Sequence, residues 1–368
     1  MPDSDQLYYG DYLDLDRLLG AQRLESTARG RTAHDEMLFI IVHQAYELWF
    51  KQILWELEAV IGVLESEIVE ERELAEAVAK LERIVVIQRL LLQQIDVIET
   101  MTPLDFMEFR DLLVPASGFQ SAQFRLIENR LGMRPGDRLR YSDAPYTSRL
   151  SDEDRDRVRS SEKRPSMFDV IERWLERTPF VHTEMFDFWD EYGEAVDRML
   201  EGDRRLILEN STLNKEEKER QIEGLERTRA HFNTLLDAES YERDRREGKV
   251  RLSHDALQAA LLIHLYRNEP ILHQPFRLLE TLVDIDENFT TWRYRHALMV
   301  MRMIGTKIGT GGSSGHHYLR RSAEHNRVFK ELMNLSTFLI PRSEIPDIPK
   351  PVVRQLGFHW RPDDTGEG

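Results

Sequence analysis

The sequence predicts an all-α protein, a helical bundle, and three observations carry that prediction. Alternating Val/Ile/Thr patterns, which half-buried strands require, are nearly absent. Leu, Glu, Arg, Ala and Met, all good helix formers, fill the chain between breakers. The 19 glycines and 14 prolines of the 368 residues are clustered, which leaves long uninterrupted tracts.

Residues 34–67 read as one long helix whose apolar positions, among them Phe39, Ile40, Tyr46, Trp49, Phe50 and Leu57, cover more than one face. That pattern implies burial between other helices. A second long helix follows at 71–101, with Leu81, Ile84, Val85, Leu91 and Ile95 at helical spacing. Thr102 then supplies an N-cap and Pro103 a first helical position for LDFMEFRDLL, which Pro115 stops. The next helix starts behind Ser117 and stops at Gly132. Residues 133–165, rich in Arg, Asp, Ser and Pro, read as a surface excursion. Residues 198–249 read as a solvated, charged helical hairpin. Ser253 caps HDALQAALLIHLYR, residues 277–305 form another buried helix, and NLSTFLIP one more. The Pro-rich segment from Ile345 reads as poorly ordered.

Composition excludes several function classes. The net charge is −16 and the pI about 5.3, against a duplex nucleic-acid or anionic-membrane partner. With no cysteine there is no disulfide, thiolate metal site or cysteine nucleophile, which fits a reducing cytosol. The N-terminus MPDSDQLYYGDYLDLD lacks the apolar core of a signal peptide, and the uncharged apolar runs are about half a membrane span. A soluble cytoplasmic protein is expected.

The chemistry concentrates in WRYRHALMVMRMIGTKIGTGGSSGHHYLR. GTGGSSG does not fit a Walker or Rossmann phosphate loop, because each needs a preceding strand and here a helix precedes. A flap gated by ligand, with Thr310 as its first polar tip, fits better. Trp292, His296, Met299, Val300 and Met303 share one helical face. His296 fits either a satisfied core histidine or an axial ligand to a flat apolar cofactor packed on soft side chains. His43, one turn after Phe39 and one before Glu47, is open to the same two readings. Phe106 and Arg110 stand four apart, so a ring and a guanidinium share a face. That pair suits an amino-acid substrate, although a salt bridge to a nearby acid is the commoner use of such an arginine. Tyr8, Tyr9 and Tyr12 lie in a polar N-terminal arm suited to docking on a neighbour.

Long motifs join these separate signals. They are YYGDYLDLDRLLGAQ, HDEMLFIIVHQAYELWFKQILWELE, ETMTPLDFMEFRDLLVPASGFQSAQFRLIEN, RWLERTP, the glycine-rich stretch above and FLIPRSEIPDIP. Together they resemble the tryptophan 2,3-dioxygenase family, closely its animal form, over almost the whole chain.

The resemblance implies an all-α haem dioxygenase fold and a homotetramer, a dimer of dimers with exchanged N-terminal segments. It implies non-covalent haem b, Fe(II) when active, and the substrates L-tryptophan and O2. His296 then matches the proximal iron ligand, with Trp292, Met299, Val300 and Met303 around the cofactor. His43 matches the distal histidine that receives the indole N–H. Phe39 and Phe106 match the pocket walls, Arg110 the carboxylate clamp, and Ser117 a distal hydroxyl near the haem. Thr310 matches a flap contact to the substrate ammonium, shared with a haem propionate. Tyr9, Tyr12 and Leu13 match residues delivered to the neighbouring subunit. Phe106 stands where many bacterial members have tyrosine, so no role can rest on that hydroxyl. The expected parts are an arm (1–33), a catalytic domain (34–348) with a charged insertion (198–250), and a disordered tail (349–368). A haem monooxygenase, a haem or tryptophan sensor, and a cofactor-free helical scaffold are the competing readings.

Overall fold

The computed structural model describes residues 7–139, 145–178, 182–183, 186–305 and 315–349. It is all-α apart from one two-residue antiparallel pair, His182–Thr183 with Phe186–Asp187. In chain order come α1 (Tyr9–Tyr12), α2 (Leu15–Leu19), α3 (Glu25–Ala28), α4 (Glu36–Leu64), α5 (Glu71–Ile98), α6 (Pro103–Met107), α7 (Ala122–Leu131) and α8 (Asp152–Ser161). There follow α9 (Met167–Glu176), α10 (Phe188–Glu209), α11 (Lys215–Leu236), α12 (Ala238–Arg246), α13 (His254–Leu265), α14 (Pro270–Ile304), α15 (Gly315–His325) and α16 (Lys330–Asn334). Among the described residues, no helix is long and apolar enough to cross a membrane.

The chain divides into two compact units. The first comprises Met1–Glu56, Ile84–Arg164 and Glu287–Arg327. Its core gathers Ala33, Val42, Ile98, Met101, Phe109 and Met303. The arm is anchored just before α4. Buried Glu36 accepts the backbone N–H groups of Glu25 (2.8 Å) and Ser26 (3.0 Å), and Ser26 Oγ accepts that of Ala33 (3.1 Å). The second unit comprises Leu57–Arg83, Pro165–Asp286 and Val328–Gly368. In it α9 packs on α13 and α10 on α11, around Val170, Ile171, Tyr192, Ala259 and Ile263.

Several local expectations hold. Thr102 caps α6 in a reciprocal capping box with Asp105, and Pro103 opens the helix. Such a cap contributes about 1 kcal/mol. Ser253 caps α13 through the Ala256 N–H, and α10 and α11 form the charged hairpin.

Others need correction. The hydroxyl that caps α7 belongs to Ser121, which accepts from Phe124 N–H; Ser117 instead precedes a 3-10 turn at Gly118–Gln120. The described part of 133–165 is mostly exposed, as expected, but it is anchored inside: Met133, Arg138, Leu150 and Val158 are buried, and α8 packs on α7. Helix α14 begins at Pro270, a turn and more before the expected start, and carries Pro275 within it. The segment after Ile345 is tied down at buried Pro346, whose carbonyl accepts from Tyr266 Oη at 2.8 Å. The remaining tail, 350–368, lies outside the described residues.

Candidate active site

A cavity of ≈ 320 Å³ opens within the first unit, in the size range of small-molecule and cofactor pockets. Helix α4 supplies Phe39, His43, Tyr46, Glu47 and Phe50 to its lining. Phe106 comes from α6, and Arg110 opens the 3-10 turn that follows. Helix α14 supplies Trp292, Arg293, His296, Met299, Val300 and Met303, and Ser117 comes from the turn before α7.

His43 lines the cavity from α4, and its ring is exposed at the mouth on the single chain. Its Nδ1 lies 2.7 Å from the Phe39 carbonyl one helical turn back. A carbonyl can only accept, so Nδ1 carries the proton and the lone pair of the neutral ring sits on Nε2. Desolvation by the groups around it lowers the His43 pKa, opposed by that carbonyl bond and by the Glu47 carboxylate. The imidazole is therefore a neutral acceptor at pH 7. Phe39 lies against it (centroids 4.1 Å apart) and continues through Phe106 (5.8 Å) to the buried ring of Phe109 (5.4 Å from Phe106). The result is an aromatic wall with one acceptor at its end and the half-buried Arg110 beside it.

His296 has a different setting. Desolvation, helped by His43, depresses its pKa to about 4, so the ring is neutral near pH 7. The Trp292 ring, one turn earlier, stacks on it almost parallel (5.2 Å, 2°). Tyr46, Phe50 and Phe124 back that indole. Neither His296 nitrogen has a hydrogen-bond partner among the described residues.

Glu47 is a brace between elements. It accepts from Ser121 Oγ (2.6 Å) and Gln123 Nε2 (2.8 Å), which ties the start of α7 to α4 one turn beyond His43.

The structure adds a group that the pattern of the sequence did not reveal. Glu128 on α7 is buried and meets three guanidinium groups: Arg125 (2.7 Å), Arg293 (3.0 Å) and Arg138. The three cations hold its carboxyl well below the usual range despite full burial. Arg138 also donates to Asn129 Oδ1 (2.6 Å), and Arg293 to the Asn326 carbonyl (2.8 Å). The local signal was only Arg125 and Glu128 three apart in QFRLIENR. Arg138 and Arg293 reach Glu128 through tertiary packing that no spacing announces.

Of the residues singled out from sequence, Phe39, His43, Phe106, Arg110, Ser117, Trp292, His296, Met299, Val300 and Met303 line this one cavity. Tyr9, Tyr12 and Leu13 do not; all three are exposed on the single chain. Thr310 and the flap residues 309–314 lie outside the described residues.

Comparison with known proteins identifies the family of the chain. The family model described as tryptophan 2,3-dioxygenase matches residues 2–339. A tryptophan 2,3-dioxygenase of Bdellovibrio bacteriovorus is 52% identical over 96% of this chain and 99% of its own length. One from Alteromonas mediterranea is 50% identical over 96% of this chain and 97% of its own. One from Dictyostelium discoideum is 46% identical over 96% of this chain and 89% of its own. With the family model covering most of its length and relatives near half identity along nearly all of it, the chain belongs to the tryptophan 2,3-dioxygenase family.

Proposed function

We propose that this chain is a haem-dependent dioxygenase that inserts both atoms of O2 across the indole C2=C3 bond of L-tryptophan. The product is N-formyl-L-kynurenine, the first step of tryptophan catabolism through kynurenine. The observation that carries the reading is that two neutral histidines of different design line one apolar cavity, with Arg110 and an aromatic wall beside them.

The residues fit a haem. A bare metal ion needs several protein donors, and no group of three or more His, Cys, Asp or Glu suited to a metal occurs among the described residues. Iron carried by a macrocycle needs a single axial donor with apolar surroundings. His296 offers a neutral imidazole without a competing hydrogen bond, beside Met299, Val300 and Met303. Bound there as ferrous haem b, the group would supply dioxygen activation.

The protein's part is positioning. An indole placed against Phe39 and Phe106 can donate its N–H to His43 Nε2, the only lone pair that the tautomer leaves. An indole N–H is a very weak acid, so His43 orients the ring and need not remove the proton. Arg110 presents a two-donor fork to the carboxylate, and Thr310 meets the ammonium. Three fixed points on one stereocentre select the L-enantiomer, and holding the reactants together is worth several kcal/mol of barrier. The flap around Thr310 closes over the substrate and excludes water. The exposed arm side chains Tyr9, Tyr12 and Leu13 complete the cavity of a neighbouring copy in a homotetramer built as a dimer of dimers, located in the cytoplasm.

The test is product mass after mixing hemin-loaded, ascorbate-reduced protein with L-tryptophan under labelled dioxygen. Two labelled oxygens in one product are expected. One would convert the reading to a monooxygenase, and none, with an ordinary ferrous haem spectrum, would reject the substrate.

A further inference from the structure

The N-terminal arm is fastened to α4 at two points. At the first turn of α4, buried Glu36 accepts the leading N–H groups of α3, those of Glu25 and Ser26, so one carboxylate caps that helix. Further along α4, Gln22 Nε2 donates to Gln44 Oε1 (2.6 Å) and to the Leu18 carbonyl (3.0 Å). Gln44 Nε2 returns a bond to the Ala21 carbonyl (3.4 Å). The two ties are about 12 Å apart along α4, at 1.5 Å per residue. Between them the arm runs in the opposite direction to the helix. Beyond Gln22 the chain is shaped but, among the described residues, uncovered. Gly20 ends α2, where a Cβ would meet the Asp16 carbonyl at 2.8 Å, and Asp14 turns the chain between α1 and α2 at φ 49°. No residue of α1 or α2 is buried, and Tyr9, Tyr12, Leu13, Leu18 and Leu19 are exposed. Helices of four and five residues do not persist alone in water, so this pair needs a surface from elsewhere.

In the reading above, on which this inference rests, a second copy of the chain supplies that surface and the arm completes its cavity. The His43 ring is exposed at the mouth of the cavity, which leaves a neighbour's side chains a place to enter. We infer that Gln22 and Gln44 are positioning residues for the neighbour's cavity. Their amide pair, with the Glu36 clamp behind it, sets the direction in which the arm leaves its own subunit, and so where Tyr9, Tyr12 and Leu13 arrive. The physical reason is entropic. A loose arm would lose its freedom on docking and dock weakly, whereas an arm held at its base has lost much of that freedom already. Neither glutamine lines the cavity, so the pair acts through the arm and not on the substrate.

The experiment uses mixed oligomers of full-length chains. Gln22→Ala alone should keep its haem content and raise KM for L-tryptophan about five- to tenfold, the range of one or two hydrogen bonds, with kcat less affected. It is then co-expressed with an Arg110→Leu chain that carries the natural arm, and oligomers holding both are isolated through two different tags. The working cavities in them belong to Gln22→Ala chains, and those that receive an Arg110→Leu arm should show the KM of the unmodified chain. In the converse mixture, the double variant Gln22→Ala, Arg110→Leu with the unmodified chain, the raised KM should appear in cavities whose own sequence is intact. An unchanged KM in Gln22→Ala alone would overturn the inference. So would a raised KM that no mixture moves from one chain to the other, because the pair would then serve its own cavity. Tyr12→Ala, carried through the same mixtures, separates the two levels. If its defect is absent or stays with its own chain, arm exchange itself falls. If it transfers and that of Gln22→Ala does not, the exchange stands and only the positioning role falls.

Discussion

Helix α13 in the second unit and the cavity of the first each hold two histidines in helical, apolar surroundings, and only one pair is committed to the fold. His254 Nε2 donates to the Leu235 carbonyl (2.8 Å), and its Nδ1 accepts from Gln258 (3.3 Å). His264 Nδ1 donates to the Ala260 carbonyl (2.8 Å), and its Nε2 lies 3.5 Å from Glu280. Both rings have their nitrogens occupied, as buried polar groups normally do. In the cavity, His43 has one nitrogen occupied, and His296 has none among the described residues. Residue type and helical context are the same in HLYR and RHAL; the count of satisfied nitrogens is what differs, and it is the ground for the ligand role proposed for His296.

Substitution can break that contrast. His296→Ala should lower haem affinity by roughly 100-fold or more, beyond the 10–100-fold that loss of a supporting residue costs. The check is haem content per chain after gel filtration, and a variant that retains its haem would return His296 to the core class. Arg110→Leu should leave haem content unchanged and lower kcat/KM for L-tryptophan by about 10²–10³-fold, the equivalent of some 3–4 kcal/mol for a truncated charge pair. Steady-state kinetics reads it, and an unchanged kcat/KM would sink the carboxylate role.

His43→Ser sharpens the comparison further, because it removes one neutral acceptor. Turnover should persist with kcat/KM down about tenfold, matching one hydrogen bond of ~1 kcal/mol. Total inactivity with haem retained would make His43 an obligatory base instead. The pH profile gives the same information without mutation. A His pKa lowered from 6.5 leaves the acceptor unprotonated below that pH, so the acid limb of kcat/KM should fall below 6.5 and be absent in His43→Ser. A limb at or above 6.5 contradicts the desolvation of His43 by the groups around it. The smallest effect is expected from His264→Gln, about 1–3 kcal/mol in denaturant-measured stability with haem content unchanged.

How much of this was legible in the sequence depends on how local each cause is. The long helices α4, α5 and α14 follow from periodicity, and the Thr102–Pro103 start from the side chains next to it. The α7 cap was placed at Ser117 because two serines four apart are equally good signals. Ser121 prevails because Glu47, distant in sequence, holds its hydroxyl. The 133–165 stretch looked solvated because Arg138 counts as surface until Glu128, ten residues earlier, is seen to take it inside. His296 and His43 could be named as candidates from pattern, but choosing between core and ligand required either the long family motifs or the hydrogen-bond accounting.

The bond that sets the tautomer of His43 is made by a main-chain carbonyl, that of Phe39. Every amino acid carries that carbonyl, so no substitution at position 39 that keeps the helix can remove it. The side chain of residue 39 shapes the wall, while its backbone fixes the proton on the neighbouring ring. On the proposed function, selection could resize the pocket at Phe39 for larger or smaller indoles without disturbing the acceptor on His43. The shape of the wall then varies with the codon for residue 39, and the tautomer of His43 does not.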